Sequence, residues 1–303
     1  MSIDSGGTPM RRLWRLLVPL CGVIAVAAAP NPASAAGTVH YVSPNPLAST
    51  LFDLSCDQPG FNSINAAVGA SATGDTIIVC DGVYYEDVRI AKSLSLYGSG
   101  NSVIQAVTAT NQDDVVTVEG GATVIMSGFI VRGPGSSTCG SIGAGIRVRE
   151  NATLDVSYTT IRDIADQGNS GCQDGEGIRV GLRQGMGEPG HLIADNVVVT
   201  DYQKNGITVS GTGSTAKITN TTVTGRGPIS YIAQNGIQVS SGAKATISTS
   251  TIRDNYYVPK PVVACGLLII DADGVNDDTN VYLANEEDKC TVNGRGGTYE
   301  GAP

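Results

Sequence analysis

The sequence predicts an all-β fold, a single-domain right-handed parallel β-helix whose N-terminal end is capped by a helix. Three observations carry that expectation. A Gly-Ile signature returns every 29 to 32 residues, at Gly145, Gly177, Gly206, Gly236 and Gly266. Between signatures lie short runs of strand-forming residues and no amphipathic helix. Six cysteines follow an apolar leader, as expected of a chain stapled by disulfides in an oxidising compartment.

At the N-terminus, Arg11, Arg12 and Arg15 precede an apolar stretch from Leu16 to Ala29, and Ala33-Ser34-Ala35 supplies small residues for cleavage near Ala35. That pattern reads as a secretory signal over 1–35, since the apolar run is too short to span a bilayer and Pro30 and Pro32 end it. Nothing later in the chain reads as a transmembrane segment. Removing 1–35 takes away three of 19 basic residues and one of 28 acidic ones, leaving a net charge of −11. Such a chain lacks the clustered Lys and Arg that phosphate contacts need, so nucleic acid is excluded as a partner.

A strand at Tyr41-Val-Ser opens the mature chain. Phe61, Ile64, Ala67 and Val68 then recur at helical spacing, which predicts the capping helix within 36–75. Capping matters because an uncovered terminal coil is an aggregating edge. The first coils are expected from Thr76–Val79, Val88–Ile90, Leu94–Tyr97 and Val115–Val118, and the solenoid to run over 76–292 before a tail at 293–303. Each repeat reads as three strands joined by Gly, Asn, Asp and Ser turns. They are the Gly-Ile strand, a second strand such as Ala152–Val156, and a third such as Thr159–Arg162. Alternation sends Ile146, Ile178, Ile207, Ile237 and Leu267 inward and Arg147, Arg179, Thr208 and Gln238 outward. In ordered coils neighbouring cysteines should pair, giving Cys56–Cys80, Cys139–Cys172 and Cys265–Cys290. Their spacing does not suit zinc.

The run from Gly74-Asp-Thr-Ile-Ile-Val through Gly82-Val-Tyr to Lys92-Ser-Leu-Ser-Leu-Tyr-Gly98 resembles the opening of pectin-lyase-like β-helix proteins. The Asn-Gly-Ile strands resemble the repeat of the same superfamily, and the likeness covers roughly residues 38–290. It implies the fold, together with a range of functions: lyases, hydrolases, esterases and epimerases of polysaccharides, and adhesins or phage tail parts that only bind. The Asp-Pro-His-Asp of alginate epimerases, the paired-Asp and Gly-His-Gly elements of polygalacturonases and the Trp-x-Asp-His of pectate lyases are absent.

The remaining signal is positional. Connections from the third strand to the next Gly-Ile strand (133–144, 163–176, 201–205, 225–235 and 254–264) vary most, and such insertions commonly build a solenoid's binding face. They should flank a groove beside Arg147, Arg179, Thr208 and Gln238. Arg147 and Arg179 stacked on neighbouring coils suit a uronate carboxylate or a sulfate, and equally suit local ion pairs with Asp174, Glu176 or Glu150. Asp163, Asp166, Asp174, Glu176 and Asp201 form a carboxylate cluster able to perform acid–base chemistry or hold Ca²⁺; as turn residues they need do neither. Lys204 is a candidate base for removing a sugar C5 proton.

Tyr231, Gln234, Tyr256 and Tyr257 are candidate sugar contacts or loop packing. Asn205 and Asn235 read as a stacked amide ladder. Asp271-Ala-Asp-Gly begins like a calcium loop but lacks the closing Glu, so an acidic turn is the alternative. The expectation is a secreted, monomeric protein directed at extracellular polysaccharide. Its activity would be that of a lyase or epimerase of uronate glycans, with Asp174, Glu176, Arg179 and Lys204 catalytic; the alternative is a noncatalytic glycan-binding or envelope protein. No cofactor is required by the sequence, calcium being the one candidate.

Overall fold

A computed structural model of the chain describes residues 37–44, 51–107, 114–168, 170–182, 188–292 and 300–301. The signal expected over 1–35, and the tail expected over 293–303 apart from 300–301, lie outside the described residues. The described residues form a right-handed parallel β-helix with three faces. The Gly-Ile strands Ala144–Val148, Glu176–Val180, Asn205–Ser210, Asn235–Ser240 and Cys265–Ile270 stack in one nine-stranded sheet. The second and third faces belong to one fifteen-stranded sheet, because strands Leu94–Gln105 and Thr123–Arg132 turn the corner between them.

Register follows the repeat. Ile146, Ile178, Ile207, Ile237 and Leu267 pair in succession and are fully buried, with Val148, Val180, Val209 and Val239 beside them. The recurring glycine has a steric cause. A Cβ at Gly177 would lie 2.3 Å from Val199 Cγ1 and 2.5 Å from the Gly206 carbonyl oxygen, and a Cβ at Gly206 would meet Val223 and Gly236 in the same way. The Gly-Ile strand presses against the third face at that point, and no side chain fits.

The capping helix spans Ile64–Ala70, starting later than the apolar spacing suggests. Ser63 accepts from the Ala66 amide as its N-cap, while Phe61 is held in a bridge to Val42. Glu86 accepts the Ile64 and Asn65 amides, and Lys92 donates to the carbonyls of Val68, Gly69 and Ser71. These two residues of the opening run therefore satisfy both ends of a helix that would otherwise leave its terminal groups unpaired. Strand Val39–Val42 pairs in parallel with Thr76–Val79, so the sheet begins ahead of the helix.

The disulfides are Cys56–Cys80, Cys139–Cys172 and Cys265–Cys290. Two connections expected to be loops start as strand instead. Thr222–Ile229 continues past Gly225 and pairs, after a register shift, with Thr251–Tyr257. The acidic stretch after Asp271 forms an edge strand, Gly274–Asp278, rather than a calcium loop. Asp277 there accepts from Asn280 and Tyr282 and pairs with Lys289 at 2.5 Å. Among the described residues no group of three acidic, His or Cys side chains is placed to hold a metal ion.

Candidate functional site

The repeat pattern breaks on neighbouring coils. On the outer side of the Gly-Ile sheet, Thr117, Arg147, Arg179, Thr208, Gln238 and Leu268 form one column. At the strand starts, Asn205 and Asn235 form the expected ladder: the Asn235 amide donates to Asn205 at 3.0 Å, and Asn205 donates to Thr208 at 2.9 Å. One coil earlier the ladder position holds Glu176, then Ala144, and the register of Val116 with Ile146 sets Asp114 beside Ala144. Two carboxylates thus stand two coils apart, about 10 Å between backbones, across a small alanine. The arginine column runs alongside.

Arg179 is 6% exposed and Glu176 is fully buried. Arg179 Nε donates to Glu176 Oε2 at 2.7 Å, and its Nη2 lies 3.3 Å from Asp174 Oδ1. Arg147 Nη1 lies 3.6 Å from Asp114 Oδ2. Glu150 turns away, toward Arg149. Three buried atoms of the cluster lack hydrogen-bond partners: Asp114 Oδ1, Arg147 Nε and Glu176 Oε1. One donor and two acceptors are the complement of a water molecule or of sugar hydroxyls, and leaving such atoms unmet is costly.

Burial raises the Asp114 carboxyl above the usual carboxylate range, with Glu176 adding to the effect, although Arg147 and Arg179 oppose it. For Arg179, burial alone would weaken its hold on the proton, but Glu176, Asp114 and Asp174 reverse that, so it stays a guanidinium. Arg179 is an electrostatic and hydrogen-bonding group, not a base.

The other expected residues sit around this cluster in differing states. Asp163 pairs with Arg162 at 2.7 Å on the third-face corner, and Asp201 accepts from Thr200. Both adopt left-handed φ, +59° and +55°, as turn residues. Asp166 anchors the loops. Burial would raise its pKa, but hydrogen bonds from Ser170, Ser141, the Gly140 amide and Gln203 hold it below the ordinary range. Lys204 Nζ donates to the Ala233 carbonyl at 2.9 Å.

Gln234 is fully buried and donates to the Tyr202 carbonyl, so it fastens one loop to the next. Tyr231 accepts from Arg226 at 3.3 Å, and Gln238 accepts from Asn205. Tyr256 is more than a third exposed; Tyr257 is partly buried in its strand. Thr208 is fully buried, so the expected column is no open trough; the side chains of Asp114, Arg147 and Asp174 keep only 11%, 14% and 17% of their surface exposed.

The structure thus brings Arg147, Asp174, Glu176 and Arg179 together and adds Asp114. Lys204, Asp163, Asp201, Tyr231, Gln234 and Gln238 have their contacts elsewhere. Asp114 was legible in one way only, by carrying the repeat alignment one coil upstream, where Asp114-Val-Val-Thr-Val118 matches Ala144-Gly-Ile-Arg-Val148. The Cys139–Cys172 bridge staples the two connections that precede the arginine-bearing strands.

No protein-family model matches the sequence, and no curated protein matches it either. Solved structures do match in fold. Pectate lyase Pel9A superposes with a TM-score of 0.52 at 15% identity, over 77% of this chain and 68% of that one. Alginate lyase from Paenibacillus sp. str. FPU-7 gives 0.39 at 13% identity, covering 73% of this chain and 95% of that one. Pectin methylesterase from Aspergillus niger gives 0.37 at 11%, covering 80% and 86%. At these identities the likeness is one of architecture: the chain has the parallel β-helix fold of the pectate lyase.

Proposed function

We propose that this chain is a secreted, polysaccharide-directed β-helix protein that acts on an acidic, uronate-containing glycan, as a lyase or epimerase, at the Asp114–Arg147–Asp174–Glu176–Arg179 cluster. One observation carries the reading: three unmet buried polar atoms lie on the successive coils where the repeat departs from its own pattern. Departures of this kind, locally costly, mark functional positions. Arg147 and Arg179 stand side by side on neighbouring coils, where two guanidiniums can face a uronate carboxylate. A bound uronate would add negative charge and hold the Asp114 proton more firmly, which casts Asp114 as the acid. Glu176 Oε1 is the available acceptor, and Asp174 keeps Arg179 in place. Lys204, tied to the next loop, acts in position rather than in chemistry. Tyr231 and Gln238, both partly exposed, extend contacts along the sugar chain, with Asp163 and Asp201 shaping the turns beside them.

Three disulfides fit an oxidising, extracytoplasmic compartment, and no described helix is long and apolar enough to cross a membrane. Export with cleavage near Ala35 is checked by N-terminal sequencing of the secreted chain. The pectate lyase that shares the fold guides the choice of polymers. The mature protein is incubated with pectate, alginate, hyaluronan and a heparan-type polymer, with and without Ca²⁺. Ultraviolet absorbance of unsaturated uronate, new reducing ends and C5 configuration are followed together. A change in absorbance or configuration on one uronate polymer is expected. The deep burial of Glu176 and Arg179 favours a second reading, a noncatalytic glycan-binding or envelope protein. Binding to such a polymer with all three signals flat would establish it.

A further inference from the structure

Away from the charged cluster, sharing no residue with it, a cavity of about 510 Å³ opens at the N-terminal end of the second face. That volume lies within the ~300–1,000 Å³ of small-molecule sites. Ile78 and Tyr97 are partners on adjacent strands, and both point outward into it. The Cys56–Cys80 disulfide forms the facing wall. Gly98 provides a ledge with no side chain; a Cβ there would lie 2.4 Å from the Gly128 carbonyl oxygen. Tyr97 keeps 39% of its surface exposed, which leaves part of the side chain open to a ligand.

The polar rim is built rather than incidental. Asp81 accepts from the Ser99 hydroxyl through one carboxylate oxygen and from the Asn101 amide, at 3.4 Å, through the other. Ser99 in turn accepts the Asn101 backbone amide at 3.2 Å. These bonds orient the carboxylate and leave lone pairs on both oxygens for further donors.

An apolar floor, one aromatic face and one fixed anionic acceptor make a specific demand on a ligand. It must present a flat C–H surface to Tyr97 and adjacent donors to Asp81. A pyranose ring does both, its axial hydrogens on the aromatic face and neighbouring hydroxyls toward the carboxylate. A uronate would set its own carboxylate against Asp81, so the charge selects a neutral ring. We infer that this cavity binds a neutral hexopyranose residue of a glycan chain, stacked on Tyr97 and hydrogen-bonded to Asp81. The inference rests on the preceding reading only in taking the ligand to be a glycan.

The test is calorimetric titration of the mature protein with neutral tetrasaccharides of glucose, mannose and galactose, and with tetragalacturonate. At least one neutral tetrasaccharide should bind, and tetragalacturonate should bind at least tenfold more weakly at this site. Tyr97→Ala should weaken the neutral ligand roughly tenfold or more with thermal unfolding unchanged, since the ring is exposed. Asp81→Asn should narrow the preference for the neutral sugar. Asp114→Asn should leave neutral-sugar binding as in the wild type, which separates this site from the charged cluster whatever the cluster does. Absence of binding by all three neutral ligands, or binding indifferent to Tyr97→Ala, would overturn the inference. Equal affinity for tetragalacturonate in a Tyr97-dependent manner would overturn the choice of a neutral ring.

Discussion

Asp114 carries a conflict between burial and charge that its surroundings settle by favouring the proton. The sign is fixed by linkage. A carboxyl whose folded pKa is raised stabilises the fold fully below its ordinary value, 3.8, and that contribution is lost as pH rises through the folded value. Asp114→Asn keeps the neutral form at every pH. Its melting temperature relative to wild type should therefore climb as pH rises above the ordinary carboxyl value of 3.8, and a difference independent of pH would show that Asp114 is not strained. Arg179 is the converse case. Removing it leaves Glu176 fully buried and without its counter-charge, so Arg179→Ala should cost about 3–5 kcal/mol in denaturant unfolding. A loss under about 1 kcal/mol would place the pair in water, where such bridges contribute little. The sequence showed the arginine column and its acidic neighbours, but residue types alone could not say that the guanidinium turns inward to Glu176. That depends on Glu176 occupying an inward ladder position where the next two coils place Asn205 and Asn235.

At the scale of elements, the alternating Ile and Val positions were readable because the inward face of each Gly-Ile strand is apolar from coil to coil. Strand ends were harder. Thr222–Ile229 runs through Gly225 and Gly227, residues that ordinarily mark a turn, because Thr251–Tyr257 offers a partner across the register shift. The helix begins at Ile64 rather than Phe61 because Ser63 caps it and Phe61 is taken by the neighbouring strand. The loops feeding the cluster depend on Cys139–Cys172, which spans 33 residues. Replacing both cysteines with serine should cost about 3–4 kcal/mol by loop entropy. Thermal unfolding of the double variant measures it. Because Asp174 follows Cys172 so closely, glycan turnover should fall by more than that loss of stability explains.

Across the whole molecule, stability is distributed coil by coil, each resting on its neighbours. The buried column through Ile146, Ile178, Ile207 and Ile237 is the shared element. Ile207→Ala, in its centre, should cost about 2–5 kcal/mol as transfer and cavity terms combine. Amide exchange should then loosen in the coils on both sides of it rather than in one. Protection lost only within Asn205–Ser210 would mean that the coils are energetically independent. Architecture was legible at this scale because a 30-residue period repeats one physical solution many times. The site was not, since it consists of the places where that solution is abandoned.

The measurement that bears most directly on the charged cluster is turnover of uronate polymers by wild type, Asp114→Asn and Lys204→Gln, each first shown to be folded. Activity is expected in the wild type, with a loss of about a hundredfold or more in Asp114→Asn and near-normal rates in Lys204→Gln. Full activity in Asp114→Asn, or its loss only in Lys204→Gln, would move the chemistry off the cluster.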